Sequence, residues 1–220
     1  MAVACGGGRV GAECRGAAGG WGGVEPCSQP RVHCAVYAAE NGNQEVVRAL
    51  LAAGAEVDHA REDGCTALYV AAQNGHLQTV RELVEAGGEL NHARMSGATA
   101  LYIAAQNGHV EVVRALVEAG AQVDHATKNG RTALQRAADN GHVDVVQALV
   151  EGGADHAADD RATALFIAAQ NGHVEIIQTL LEAGADLNRA ANNGFTPLEV
   201  ARANNHLAAV HVLEQAAATE

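Results

Sequence analysis

Eleven histidines occur in this 220-residue chain, and most stand in two columns. His76, His109, His142, His173 and His206 form one, four of them inside the triplet Asn-Gly-His. His59, His92, His125 and His156 form the other, which Arg189 continues. Evenly spaced imidazoles raise three chemistries: metal ligation, acid–base catalysis and pH-dependent binding. Thiols add a fourth. The five cysteines are Cys5, Cys14, Cys27, Cys34 and Cys65. Their separations match no C-x-x-C pair, so a zinc framework is not expected. An odd count without a secretory leader predicts reduced thiols, although disulfides near the start remain open. Cys65 has His59 and His76 nearby in sequence, but the repeat places them on different parts of one unit. No nucleophile elbow, P-loop or H-E-x-x-H pattern is present. Neither an enzyme nor a bound metal or cofactor is expected.

The elements that carry these columns are repeats. Four copies align almost verbatim: "TALYVAAQNGHLQTVRELVEAGGELNHA", "TALYIAAQNGHVEVVRALVEAGAQVDHA", "TALQRAADNGHVDVVQALVEGGADHA" and "TALFIAAQNGHVEIIQTLLEAGADLNRA". A weaker copy precedes them, and "TPLEVARANNHLAAVHVLEQ" follows. Thr66, Thr99 and Thr132 recur every 33 residues. Such a period points to stacked supersecondary units. Each unit reads as two short helices and a loop. Thr66, Thr99, Thr132, Thr163 and Thr196 are N-cap residues. Thr132 with Gln135 and Thr196 with Glu199 complete capping boxes, and Pro197 suits the first helical position. Gly75, Gly108, Gly141 and Gly172 are placed to end the first helix in a left-handed turn. Val110, Val113, Leu116 and Val117 form one apolar stripe on the second helix. Asp63-Gly64, Asn129-Gly130 and Asn193-Gly194 are hairpin-turn signals, so each unit ends in a projecting finger.

This arrangement weighs against a metal in either histidine column. Neighbouring units should lie about 8–10 Å apart, as packed helices do. Zinc needs nitrogens about 2.0–2.1 Å from itself. The Asn-Gly-His column is therefore expected to brace the turn between the helices. The finger histidines lie beside Asp58, Asn91, Asp124, Asp155 and Asn188. They read as loop-bracing residues or as a ladder responsive to pH near 6.5.

Formal charge is −12, and aromatic residues are only 3%. A chain this acidic repels phosphates, which argues against nucleic acid and anionic membranes as partners. No apolar run is long enough to span a bilayer. A cytoplasmic or nuclear location is expected. Residues 1–30 are rich in glycine and lack a helical period. They read as a disordered leader, a short binding motif around Trp21, or translated sequence upstream of the true start.

The repeated residues resemble the ankyrin repeat family. The family pattern G-x-T-P-L-H-x-A-A-x-x-G-H…L-L-x-x-G-A-D-x-N fits along residues 64–189, and more weakly along 31–63 and 194–215. One departure is consistent: Tyr69, Tyr102, Gln135, Phe166 and Glu199 replace the family histidine of "TPLH". The resemblance implies an all-α solenoid of about six helix–turn–helix repeats with short β-hairpin or loop fingers. Repeats are expected over 31–63, 64–96, 97–129, 130–160, 161–193 and 194–220. It also implies a protein-binding module that works through finger tips and inner helices. Family loops of the form D/E-Φ-N can be hydroxylated on asparagine, and Asn91 and Asn188 resemble that target.

Within a fixed scaffold, the finger tips vary: "REDGC", "RMSGA", "TKNGR", "ADDRA" and "ANNGF". Partner-specific contacts can be written there without disturbing packing, although unselected drift looks the same. The candidate contacts are Arg61, Glu62, Asp63, Arg94, Met95, Ser96, Lys128, Asn129, Arg131, Asp159, Asp160, Arg161, Asn192 and Phe195. Arg61, Arg94, Arg131 and Phe195 lead, because Arg and aromatic groups often dominate interface energy. Tyr69, Tyr102 and Phe166 form a competing line on the inner helices, or interior packing. The expected partner is another protein, bound by a monomer. A regulatory or substrate-adaptor fragment of a larger protein is the alternative. The polar last unit and Gln44 near the other end suit capping.

One unit is short. Thr163 follows Thr132 by 31 residues, not 33. The missing pair is placed at Gln122–Val123, and Arg161 stands where other fingers have glycine. A shortened finger with a different turn is expected.

Overall fold

The computed structural model describes residues 30–155 and 163–218, with side chains from residue 34 onward. Within them lie twelve helices. In chain order these are α1 (Pro30–Glu40), α2 (Gln44–Ala52), α3 (Ala67–Gln73), α4 (Leu77–Glu85), α5 (Ala100–Asn107), α6 (Val110–Glu118), α7 (Ala133–Asn140), α8 (Val143–Glu151), α9 (Ala164–Asn171), α10 (Val174–Glu182), α11 (Pro197–Ala203) and α12 (Leu207–Ala217). They form six helix pairs. The first helices pack on one another in sequence, the second helices do likewise, and each first helix packs on its own second helix. The result is a two-layered, quasi-one-dimensional array in which each unit leans on its neighbours.

Local chemistry sets the element boundaries. The hydroxyls of Thr66, Thr99, Thr132, Thr163 and Thr196 accept the N–H of Tyr69, Tyr102, Gln135, Phe166 and Glu199 at 3.1–3.3 Å. Both capping boxes form. Gly75, Gly108, Gly141 and Gly172 have φ of 74°, 78°, 80° and 74°. In the last unit Asn205 adopts that conformation with φ 59°. Asparagine tolerates the left-handed region better than most residues.

The core lies between the two layers. Leu68, Leu83, Leu101, Leu116, Leu134, Leu149, Leu165, Leu180 and Leu213 are fully buried. The paired alanines Ala71–Ala72, Ala104–Ala105, Ala137–Ala138 and Ala168–Ala169 are also fully buried. Their small side chains let helices approach closely, so the core needs few aromatics.

The fingers are turns, and no strand occurs among the described residues. Gly64 N–H donates to Arg61 O at 2.8 Å, and Arg61 N–H donates to Cys65 O at 2.9 Å. The same pair of bonds closes Arg94–Ala98, Thr127–Arg131 and Ala191–Phe195. Only the glycine of each turn has positive φ, whereas the type I′ turn suggested by Asn-Gly needs two such residues. In the 61–65 and 191–195 fingers the residue before the glycine bonds forward instead. Asp63 Oδ1 accepts from Cys65 N–H and Asn193 Oδ1 from Phe195 N–H, both at 3.1 Å. This is the local side-chain turn that Asp and Asn favour.

A second ladder locates the short unit's gap. Asp58 Oδ1 accepts Glu89 N–H at 2.6 Å, Asn91 Oδ1 accepts Gln122 N–H at 2.8 Å, and Asp124 Oδ1 accepts Asp155 N–H at 2.8 Å. Asp155 therefore occupies the place of Gln122. The pair is not missing at Gln122–Val123. The rest of the short finger, 156–162, lies outside the described residues.

Candidate functional site

Four histidines of the Asn-Gly-His column, His76, His109, His142 and His206, bond to the preceding unit. His109 is the N-cap residue of α6, yet its ring makes no capping bond there. Nε2–H instead donates to Gln73 O at 3.0 Å, a carbonyl of the preceding unit. Asn107 Nδ2 donates to the same carbonyl at 2.7 Å. His76 with Asn74 shares Glu40 O, His142 with Asn140 shares Gln106 O, and His206 with Asn204 shares Gln170 O. Each pair satisfies a carbonyl at the end of a first helix. In the finger column, His59 and His92 approach Glu56 and Glu89, both at 3.6 Å. No cluster of three or more His, Cys, Asp or Glu able to hold a metal occurs among the described residues.

Cys65 is buried. Burial first, then its bond to the Asp63 carboxylate, pushes the thiol up to about 11. A thiol held protonated is a poor nucleophile. The backbone N–H of Cys65 in turn holds Asp63 below its usual value.

The predicted finger cations divide into two kinds. Arg61 and Arg94 are tied into the scaffold. Arg61 lies 3.9 Å from Glu40. Arg94 sits over the Tyr69 ring, 5.4 Å from its centroid, and 3.8 Å from Asp63. Proximity to Tyr69 is the main influence raising its pKa. Lys128 and Arg131 are exposed and have no ion pair among the described residues. Their finger touches the previous one through Lys128 N–H to Ser96 O at 3.1 Å.

The other tip residues lie at the surface. Met95 is 70% exposed and Phe195 is 47% exposed. Glu62, Asp63, Ser96, Asn129 and Asn192 are exposed. Asp159, Asp160 and Arg161 lie outside the described residues. The competing inner line is not a surface. Tyr69 and Phe166 are 3% and 4% exposed, and only Tyr102 is half-buried. Of the two asparagines resembling hydroxylation targets, Asn91 is half-buried and accepts Gln122 N–H, whereas Asn188 is exposed.

A polar network across three units lies outside the sequence expectations. Arg136 Nε donates to Gln106 Oε1 at 3.2 Å, and Nη1 pairs with Asp139 Oδ2 at 3.0 Å. Asp139 Oδ1 accepts from Asn171 Nδ2 at 3.1 Å. Its signal was in the unit comparison: Arg136 stands where other copies have Tyr37, Val70, Ile103, Ile167 or Val200. Asp139 stands where Gln73, Gln106 and Gln170 recur. The fourth unit is thus polar along the inner helix as well as at the finger.

No helix among the described residues is long and apolar enough to cross a membrane. No curated protein sequence matches the chain. The family model for ankyrin repeats matches in three copies, over residues 28–94, 87–160 and 153–219. Each copy spans two of the helix pairs, so three family matches stand where the sequence pattern counts about six units. Ankyrin repeats are generally protein–protein interaction modules and are typically non-catalytic. The matches run from the first described helix to the last, and the chain belongs to the ankyrin repeat family.

Proposed function

We propose that the chain binds another protein through its finger tips and the adjoining first-helix layer. One observation carries this reading. Nearly identical helices hold finger tips that differ from unit to unit, and two of those tips expose large apolar side chains, Met95 and Phe195. Exposed methionine and aromatic groups, with arginine, are typical interface anchors. The acidic balance favours a protein over a nucleic acid as the partner. A photoreactive benzophenone amino acid at position 95, compared with one at Glu118 on a second helix, tests the site. Position 95 should capture a discrete protein that position 118 does not. Equal capture at both positions, or none at 95, would remove the finger-tip site.

A further inference from the structure

The two helix layers carry different charge. On the second helices, Glu45, Glu85, Glu111, Glu118, Asp144, Glu175 and Glu182 are exposed. The cations of that layer are partly neutralised: Arg48 pairs with Glu82 and Arg114 with Glu151. On the finger side several acids have partners. Glu40 faces Arg61, Asp63 faces Arg94, Asp139 holds Arg136, and Glu199 accepts from Thr196. Lys128 and Arg131 are the exposed cations of the third described finger, with no partner among the described residues. Met95 stands on the neighbouring tip, joined to theirs by the Ser96–Lys128 backbone bond. Among the described residues, positive charge without an ion-pair partner therefore lies beside an exposed, adaptable apolar side chain, on a molecule whose other layer is acidic.

From this charge complementarity we infer that the occupant of this surface is an acidic segment of the partner protein, its carboxylates on Lys128 and Arg131 and an apolar side chain on Met95. The inference rests on the protein-binding reading and narrows it. A basic segment would be drawn to the second-helix layer and repelled here, while an acidic one is steered away from that layer towards the fingers. Met95 adapts its shape to an apolar contact more readily than a branched residue.

The test is selection of random 12-residue displayed peptides on the full chain, followed by titration of the recovered peptides. The expected peptides are rich in Asp and Glu and contain an apolar residue. Their affinity should fall at least about tenfold for Lys128→Glu/Arg131→Glu, and should weaken as salt is raised. Lys128→Arg should retain binding. Both substituted positions are exposed, and an unchanged circular dichroism melt excludes a folding defect. Acidic peptides that ignore the double substitution would overturn the inference. So would peptides lacking acidic residues, and if these lost affinity for Met95→Glu the protein-binding reading would survive alone. Recovery of no peptide above background would count against both.

Discussion

A Cβ built on Gly75 would stand 2.7 Å from Nδ1 of His109 in the next unit. The same glycine has φ 74°, and the same histidine donates to Gln73 O. One position thus answers two demands: a left-handed helix end, and room for the ring that links two units. Gly42 with His76, Gly108 with His142 and Gly172 with His206 repeat the contact at 2.7–2.8 Å. Asn205 occupies the corresponding place in the last unit with φ 59°.

Gly87 separates these demands. Its φ is 85°, but a Cβ there meets nothing within 4 Å. Gly87→Ala should cost only the backbone strain, about 1–2 kcal/mol. Gly75→Ala should cost at least about 1 kcal/mol more, because the histidine must move and its bond is lost. Denaturant melts give both values. Adding His109→Ala to Gly75→Ala should be less than additive, and strict additivity would mean that the ring contact contributes nothing.

Thr79 is 1% exposed, and its hydroxyl has no hydrogen-bond partner. The matching residues in the next three units are Val112, Val145 and Ile176, all buried. Thr79→Val keeps the shape and removes an unsatisfied polar group. A gain of about 1 kcal/mol is expected from thermal or denaturant unfolding.

Arg94 and Arg131 should behave differently as alanine variants. Arg94→Ala loses the contact with Tyr69 as well as a surface charge, and should destabilise the fold by about 1 kcal/mol. Arg131→Ala should change stability by no more than about 0.5 kcal/mol. Melts recorded beside binding curves separate the two. A binding loss for Arg131→Ala with unchanged stability is the outcome expected of an interface residue.

Glu82 is held down to about 2 from its ordinary 4.5, first by its hydrogen bond to Arg48 and then by that to Gln44. A carboxylate with a lowered folded pKa stabilises above its unfolded value, and that contribution is lost as pH falls from about 4.5 towards 2. Carboxyl-detected NMR titration should find Glu82 ionised well below its ordinary 4.5. Arg48→Ala should move it up towards 4.5. A Glu82 titration unchanged by that substitution would contradict the pairing.

Much of the fold was legible because its signals are local. A threonine cap, a glycine at a helix end and an alanine pair each act within one unit, and repetition made each visible several times. Relations between units were harder to see. The Asn-Gly-His column was expected to brace the turn between the helices, and sequence did not show that four of its histidines also bond a carbonyl of the previous unit. Asp155 takes the place of Gln122 through a bond to Asp124, which no alignment of residue letters reveals. At the candidate site, finger position predicted exposure well for Met95 and Phe195. It could not show that Arg94 lies over Tyr69, or that Tyr69 and Phe166 face inward. Arg136 and Asp139 were visible as departures from the repeat, but on a helix where variation was not expected to matter.

Amide hydrogen exchange with and without a bound, selected peptide tests the central claim most directly. Protein binding by the fingers predicts slowed exchange in 94–98 and 127–131, with the second helices α6 and α8 unchanged. Protection concentrated on α6 and α8, with both fingers exchanging as in the free chain, would contradict it.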